Sequence, residues 1–204
     1  MTNTTYKMFL EKNGGSDPTG YIGRVGEMFY DPATGVLRRS DGVTPGGIRL
    51  ADFGTSGYVG AFHDTTNQLS TSPGSPLSMR LNTATIADGV QVTNNTQIKI
   101  LHVGNYNIEF SAQFQKTDAG TDFVYIWLSK NGVDIPWTNT GVRLYGNDDQ
   151  LAAAWNWVVS ANPNDYFELK WMSEDGTVFI SAHPENTFGT SPGIPSLIVT
   201  VTQV

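Results

Sequence analysis

Cysteine is absent from this 204-residue chain. That excludes a disulfide framework, a thiolate nucleophile and a zinc site of the cysteine type, so stability must come from packing. Histidine is scarce: His63, His102 and His183 are the only three. They stand far apart and each lies beside strand-like sequence, which points to surface or core roles rather than to catalysis or metal binding. No 18 apolar residues stand together, and Met1–Glu11 lacks a basic stretch with an apolar run behind it. The expectation is no signal peptide and no membrane insertion. Neither His-Glu-x-x-His nor Gly-x-x-x-x-Gly-Lys occurs, no serine-nucleophile motif is expected, and the chain is read as non-enzymatic, without a cofactor.

What is abundant favours turns and strands. Glycine (22), proline (10) and threonine (23) stand against only 12 leucines, a composition poor in helix formers. Five Trp, eight Tyr and ten Phe supply ample core side chains, which argues against disorder. Lys and Arg number 12 against 19 Asp and Glu. The two signs balance before Thr55, so the whole net charge of −7 falls after it. An acidic region of that kind repels phosphate, and no nucleic-acid partner is expected. All five Trp also lie in the second part. A boundary near Gly54–Gly57 divides the chain into 1–55 and 56–204.

In the first part, Gly26–Gly42 reads as two short strands around a turn, with Pro32 presetting it and Gly35 free to take positive φ. An isolated hairpin buries too little apolar surface to be stable, so Met28, Tyr30, Val36 and Leu37 need another surface to pack on, either another copy of the chain or a particle. Gly-Glu-Met-Phe-Tyr-Asp-Pro-Ala-Thr-Gly-Val-Leu-Arg-Arg-Ser-Asp-Gly-Val-Thr-Pro-Gly-Gly, residues 26–47, resembles a segment common in tail-fibre and other virion proteins of tailed bacteriophages, especially those of cyanobacteria. The resemblance implies attachment to a virion through Met28, Tyr30, Val36 and Leu37. Met1–Glu11 reads either as an anchoring arm or as a frayed terminus.

In the second part, Tyr106–Gln115 alternates apolar and polar residues with the period of a half-buried strand. Phe123–Leu128 is apolar without a break, which predicts a strand covered on both sides, closed by the turn Lys130-Asn131-Gly132. Tyr166–Met172 and Ser196–Val204 also alternate. Ala152–Ala154 favour helix, but Trp155, Trp157 and Val159 alternate and Asn162–Asp165 ends the segment as a turn, so Leu151–Val159 is predicted as a strand. About eight to ten strands without helices between them predict an antiparallel sandwich or barrel.

The strand order and the run Gly104-Asn105-Tyr106-Asn107-Ile108-Glu109-Phe110, together with the hairpin after Val124 and the paired strands around Asn162–Asp165, are similar to the C1q/TNF-like jelly roll. The last strand departs from that family, with Pro-Ser-Leu-Ile-Val-Thr-Val in place of a Phe-x-Gly-x-Leu run. The resemblance implies a homotrimer. Apolar side chains on both faces of two predicted strands agree with it and place Phe123, Tyr125, Trp127, Trp155 and Trp157 at the interface between copies.

Two loops remain. Trp137 in Ile135-Pro136-Trp137-Thr138-Asn139, with Asn139 supplying hydrogen bonds, is the best candidate for stacking on a host-surface glycan; packing on a neighbouring loop is the alternative. Asp148 and Asp149 are either a solvated turn or, near a threefold axis, ligands for Ca²⁺. The combined expectation is an all-β protein, an antiparallel jelly-roll sandwich preceded by a small β-hairpin module. It would be assembled in the host cytoplasm into a virion, as a trimeric fibre or appendage whose first segment binds other virion proteins. A capsid decoration protein, a glycan-binding module and a polysaccharide depolymerase are the alternatives.

Overall fold

The computed structural model describes residues 20–31, 36–51, 57–187 and 189–204. Their regular elements are all β-strands, and every pairing is antiparallel. The chain divides into two compact units between Ser56 and Gly57. The Met1–Glu11 arm and the Pro32–Gly35 turn lie outside the described residues.

The first unit contains β1 (Met28–Asp31), β2 (Val36–Arg39) and β3 (Ile48–Ala51), ordered β1-β2-β3. The hairpin is therefore a three-stranded sheet. The chain returns to β3 through a turn built on Asp41, whose carboxylate accepts the N–H groups of Val43 (3.0 Å) and Thr44 (2.7 Å) and the Thr44 hydroxyl (2.6 Å). These bonds, the Thr44 hydroxyl foremost, hold the Asp41 pKa down to about 2. Gly42 follows at φ 82°, where a side chain would be strained. The Ser-Asp-Gly stretch thus has a local physical reason: it is an Asx turn.

Alternation along the sheet separates the four expected attachment residues. Phe29, Asp31 and Val36 are buried on one face, where Asp31 pairs with Arg38 Nε at 3.3 Å. Tyr30 stands opposite Leu37 on the other face, with Met28 beside them. Val36 is consequently withdrawn from the attachment set, because its own unit already covers it.

The second unit begins with β4 (Val59–Asp64), β5 (Gln68–Leu69), β6 (Leu77–Ser78), β7 (Thr83–Asp88), β8 (Val90–Thr93), β9 (Gln97–Ile100) and β10 (Gly104–Gln115). It continues with β11 (Thr121–Lys130), β12 (Val133–Asp134), β13 (Thr140–Tyr145), β14 (Gln150–Ala161), β15 (Tyr166–Ser173), β16 (Phe179–Ile180) and β17 (Leu197–Gln203). They form two antiparallel sheets of seven strands packed as a sandwich. In the first sheet β10 is the hub: β14 runs along one side, and β17, then β4 and β7, lie on the other. The second sheet has the order β13-β11-β15-β9-β8, with β12 on β11 and β6 on β15.

Burial follows the period of two. Tyr106, Ile108, Phe110, Ala112 and Phe114 of β10 point inward and meet Val124, Ile126 and Leu128 of β11 and Leu169 and Trp171 of β15 in one core. Each such large side chain contributes roughly 1.5–3 kcal/mol. Ala152–Ala154 lie in β14, where twelve residues pair with β10; cross-strand pairing and burial of alternate residues outweigh their helix propensity. The prediction of burial on both sides of Phe123–Leu128 holds in part: Val124, Ile126 and Leu128 are buried on the inner face and Trp127 on the outer one, while Phe123 is 43% exposed.

The turn Asn131-Gly132, both residues at positive φ, is tied to the turn at Asn162–Asp165. Asp165 accepts hydrogen bonds from Asn131 Nδ2 and the Asn162 N–H, both at 2.8 Å, and pairs with Lys130 at 2.8 Å. The Lys130 bond, then those from Asn131 and Asn162, lower the Asp165 pKa from 3.8 to about 2. A depressed carboxyl stabilises the fold above its unfolded pKa and loses that contribution as pH falls through the folded one. Asp165→Asn is therefore expected to lower Tm at neutral pH by a few degrees, with the gap to wild type closing between about pH 4 and pH 2 in thermal melts.

Candidate functional site

The strongest local anomaly lies in the β12–β13 connection. β12 begins right after the Asn131-Gly132 turn, and Asp134 at its end accepts the Trp127 indole N–H at 2.8 Å. Ile135 N–H bonds Leu128 O at 2.9 Å. Thr138 anchors the far side: its hydroxyl donates to Ile135 O (2.7 Å) and accepts from Leu128 N–H (3.2 Å), and its carbonyl accepts the Trp157 indole N–H (3.2 Å). Between these anchors Trp137 is 102% exposed and sits at φ 67°. The alternative of packing on a neighbouring loop of the same chain is therefore overturned. Asn139 is exposed and its amide makes no hydrogen bond to any described residue.

A second feature is the outer face of β11 and β13. Phe123 stands opposite Arg143, and Tyr125 opposite Gly141, whose missing side chain leaves the Tyr125 ring uncovered on that side. Phe123 and Tyr125 are nearly parallel with centroids 6.4 Å apart. The Arg143 guanidinium lies 5.6 Å from the Phe123 ring and 4.9 Å from the Tyr145 ring, a cation–π pairing on both sides.

The expected interface residues do not share this face. Trp127 is 8% exposed and hydrogen-bonded to Asp134 of the adjoining β12, so it is withdrawn from the interface set. Trp155 and Trp157 turn toward the core: Phe110 meets Trp155 edge-on at 4.7 Å and stacks on Trp157 at 5.2 Å. The outward residues of that strand are Ala152, Ala154, Asn156, Val158 and Ser160. The surplus of aromatic side chains predicted for two faces is thus largely absorbed by the sandwich itself. Phe123 and Tyr125 remain displayed.

Asp148 and Asp149 form the β13–β14 turn. Asp149 accepts the N–H groups of Tyr145 (2.6 Å) and Gln150 (2.9 Å), and Asp148 takes φ 54°. That is the structural use of acidic residues in a turn, and the Asp149 carboxylate is spent on it. Among the described residues the carboxylates that converge are Asp118, Asp122 and Asp175, each offering an oxygen within 4.8 Å of the others. The Lys116 ammonium is already among them, paired with Asp122 and, at 3.4 Å, with Asp118. Its side chain is fully buried. A built-in cation makes this group a charge-compensated structural cluster. The spacing Lys116-x-Asp118-x-x-x-Asp122 is visible in the sequence, whereas Asp175 arrives from a distant segment.

Gly189-Thr190-Ser191-Pro192-Gly193 does carry the Gly-x-Ser-x-Gly spacing, contrary to expectation. It lies in the loop between β16 and β17, not on a strand-to-helix turn, and Ser191 Oγ has no hydrogen-bond partner. His183, across the local bridge, is 3.2 Å from Ser181 Oγ instead. His102 stacks on Tyr58 at 3.8 Å. His63 lines an open groove of about 570 Å³ with Phe62, Ile194, Pro195 and Ile198. No nucleophile, base and orienting acid come together among these groups.

No protein-family model matches the chain, and no curated protein matches it. Among the described residues no helix is long and apolar enough to cross a membrane.

Proposed function

We propose that this chain is a structural attachment protein of a tailed-phage virion: a homotrimer whose first unit docks on another virion protein and whose sandwich is presented outward. The observation that carries the reading is the apolar surface that the described sheet of the first unit leaves exposed. Among its described residues only Phe29 and Val36 are buried apolar side chains. Meanwhile Tyr30 and Ile48 are about half exposed, at 51% and 46%. A sheet of this kind needs a partner surface, and the resemblance of residues 26–47 to virion segments names its class.

The trimer rests on the second unit. There the final strand, β17, is inserted between β4 and β10, and β14 follows β10 on the far side. A jelly roll closes in this way, and that order supports the C1q/TNF-like reading. On the outer face of β11 and β13, Phe123, Tyr125 and Tyr145 offer aromatic surface for a neighbour to cover.

Light scattering on the size-excluded full chain is expected to give three times the 22.2 kDa chain mass. Tyr30→Asp with Ile48→Asp is expected to keep that mass and the sandwich's Tm while abolishing incorporation into particles, read with antibody to the sandwich. A monomeric species at micromolar concentration, or normal incorporation of the double variant, would sink the reading.

A further inference from the structure

Trp137 combines two features that the fold does not need. Its indole lies wholly in water, and its backbone is held in the left-handed region, which a bulky side chain adopts only under constraint. The constraint comes from Thr138, which bonds Leu128, Ile135 and Trp157, and from Ile135 itself. The loop therefore holds the backbone that carries the ring, and a ligand that stacks on the indole has only its two side-chain torsions to order. Two residues on, the Asn139 amide offers both a donor and an acceptor with no partner of its own.

We propose that Trp137 and Asn139 form a binding site for a neutral saccharide. The indole would stack on the C–H face of a sugar ring, and the amide would bridge neighbouring hydroxyls. Charge selects the neutral class. The whole net charge of −7 falls after Thr55, and the cation of the adjacent turn, Lys130, is already engaged by Asp165 and Ser160 O. Acidic sugars and anionic lipid surfaces meet repulsion here. A protein partner would need a broad apolar collar around the ring. Within the loop only Val133 and Pro136 are exposed apolar neighbours, and Asn139, Thr140 and Gly141 follow. The proposal rests on reading the sandwich as an attachment head and names its ligand class.

The test applies the full chain to a printed array of neutral and acidic oligosaccharides, followed by calorimetric titration of the best neutral binder. Wild type is expected to retain at least one neutral glycan. Trp137→Ala and Trp137→Gly are expected to weaken binding by about tenfold or more, and Asn139→Ala by about three- to tenfold. Assembly mass is expected to be unchanged in all three. Trp137→Gly removes ring and backbone strain together, so it should melt no lower than wild type, which separates lost binding from lost folding. The proposal fails if no neutral glycan binds, if only acidic glycans bind, or if Trp137→Ala binds as wild type does. It also fails if that variant changes the assembly mass, making the ring a contact between copies, or abolishes binding to phosphatidylglycerol vesicles, making it a membrane contact. A monomer that still binds sugar through Trp137 would remove the trimer and leave the site standing; a trimer that binds none would do the reverse.

Discussion

Phe110→Ala is expected to destabilise the sandwich by about 3–5 kcal/mol, a large share of the roughly 5–15 kcal/mol that holds a typical domain together. Phe110 is buried at the centre of β10 and touches both Trp155 and Trp157. Removing its ring leaves a cavity and takes an edge-on partner from Trp155 and a stacked one from Trp157, so a shift in Trp fluorescence should accompany the lower urea midpoint. Trp137→Ala is the control: a larger ring is lost, but from water, and the stability change should stay within about 0.5 kcal/mol. Equal effects from the two variants would mean that β14 is not packed on the core as described.

Lys116→Ala is expected to lower Tm by roughly 5–10 °C at pH 7. Burial disfavours the Lys116 ammonium, but the Asp122 and Asp118 carboxylates outweigh it and hold its pKa above the ordinary 10.5. Without that cation, carboxylates within 4.8 Å of one another face like charge. The sign of the pH dependence follows. The Thr177 hydroxyl first, and then Lys116, hold the Asp118 pKa below 3.8, so its stabilising contribution is present above the unfolded pKa and fades as pH falls through the folded one. The gap between wild type and Lys116→Ala should therefore be widest near neutrality and narrow below about pH 4. Lys116→Met combined with Asp118→Asn and Asp122→Asn should recover most of the loss, since it removes the cation together with the two carboxylates it pairs with. A single variant that melts like wild type at pH 7 would show the cluster to be solvated and energetically idle.

Strand identity was legible wherever one face is buried. In Tyr106–Gln115 the alternation is complete, and even Ala152–Ala154 are overruled by the Trp155, Trp157, Val159 alternation that follows. Turn chemistry was equally local: Asn131-Gly132 and Asn162–Asp165 need positive φ at Asn131, Gly132 and Asn164, and these residues tolerate it. What escaped was which neighbour covers an outward side chain. Trp127, Trp155 and Trp157 read as surplus greasy surface, yet their own chain covers the first and packs the other two on Phe110. The third strand of the small sheet was likewise missed, because Ile48–Ala51 pairs with β2 only after the Asp41 turn has brought it back.

By itself the sequence determined an antiparallel all-β chain, through residue period and turn residues, since both act between positions a few places apart. Only the tertiary structure decided that Trp155 and Trp157 pack on Phe110, that the Asn131 turn is tied to Asp165, and that Asp175 joins Asp118 and Asp122. Those outcomes depend on side chains far apart in the chain becoming neighbours when two sheets close on one core, and neither composition nor spacing records that distance.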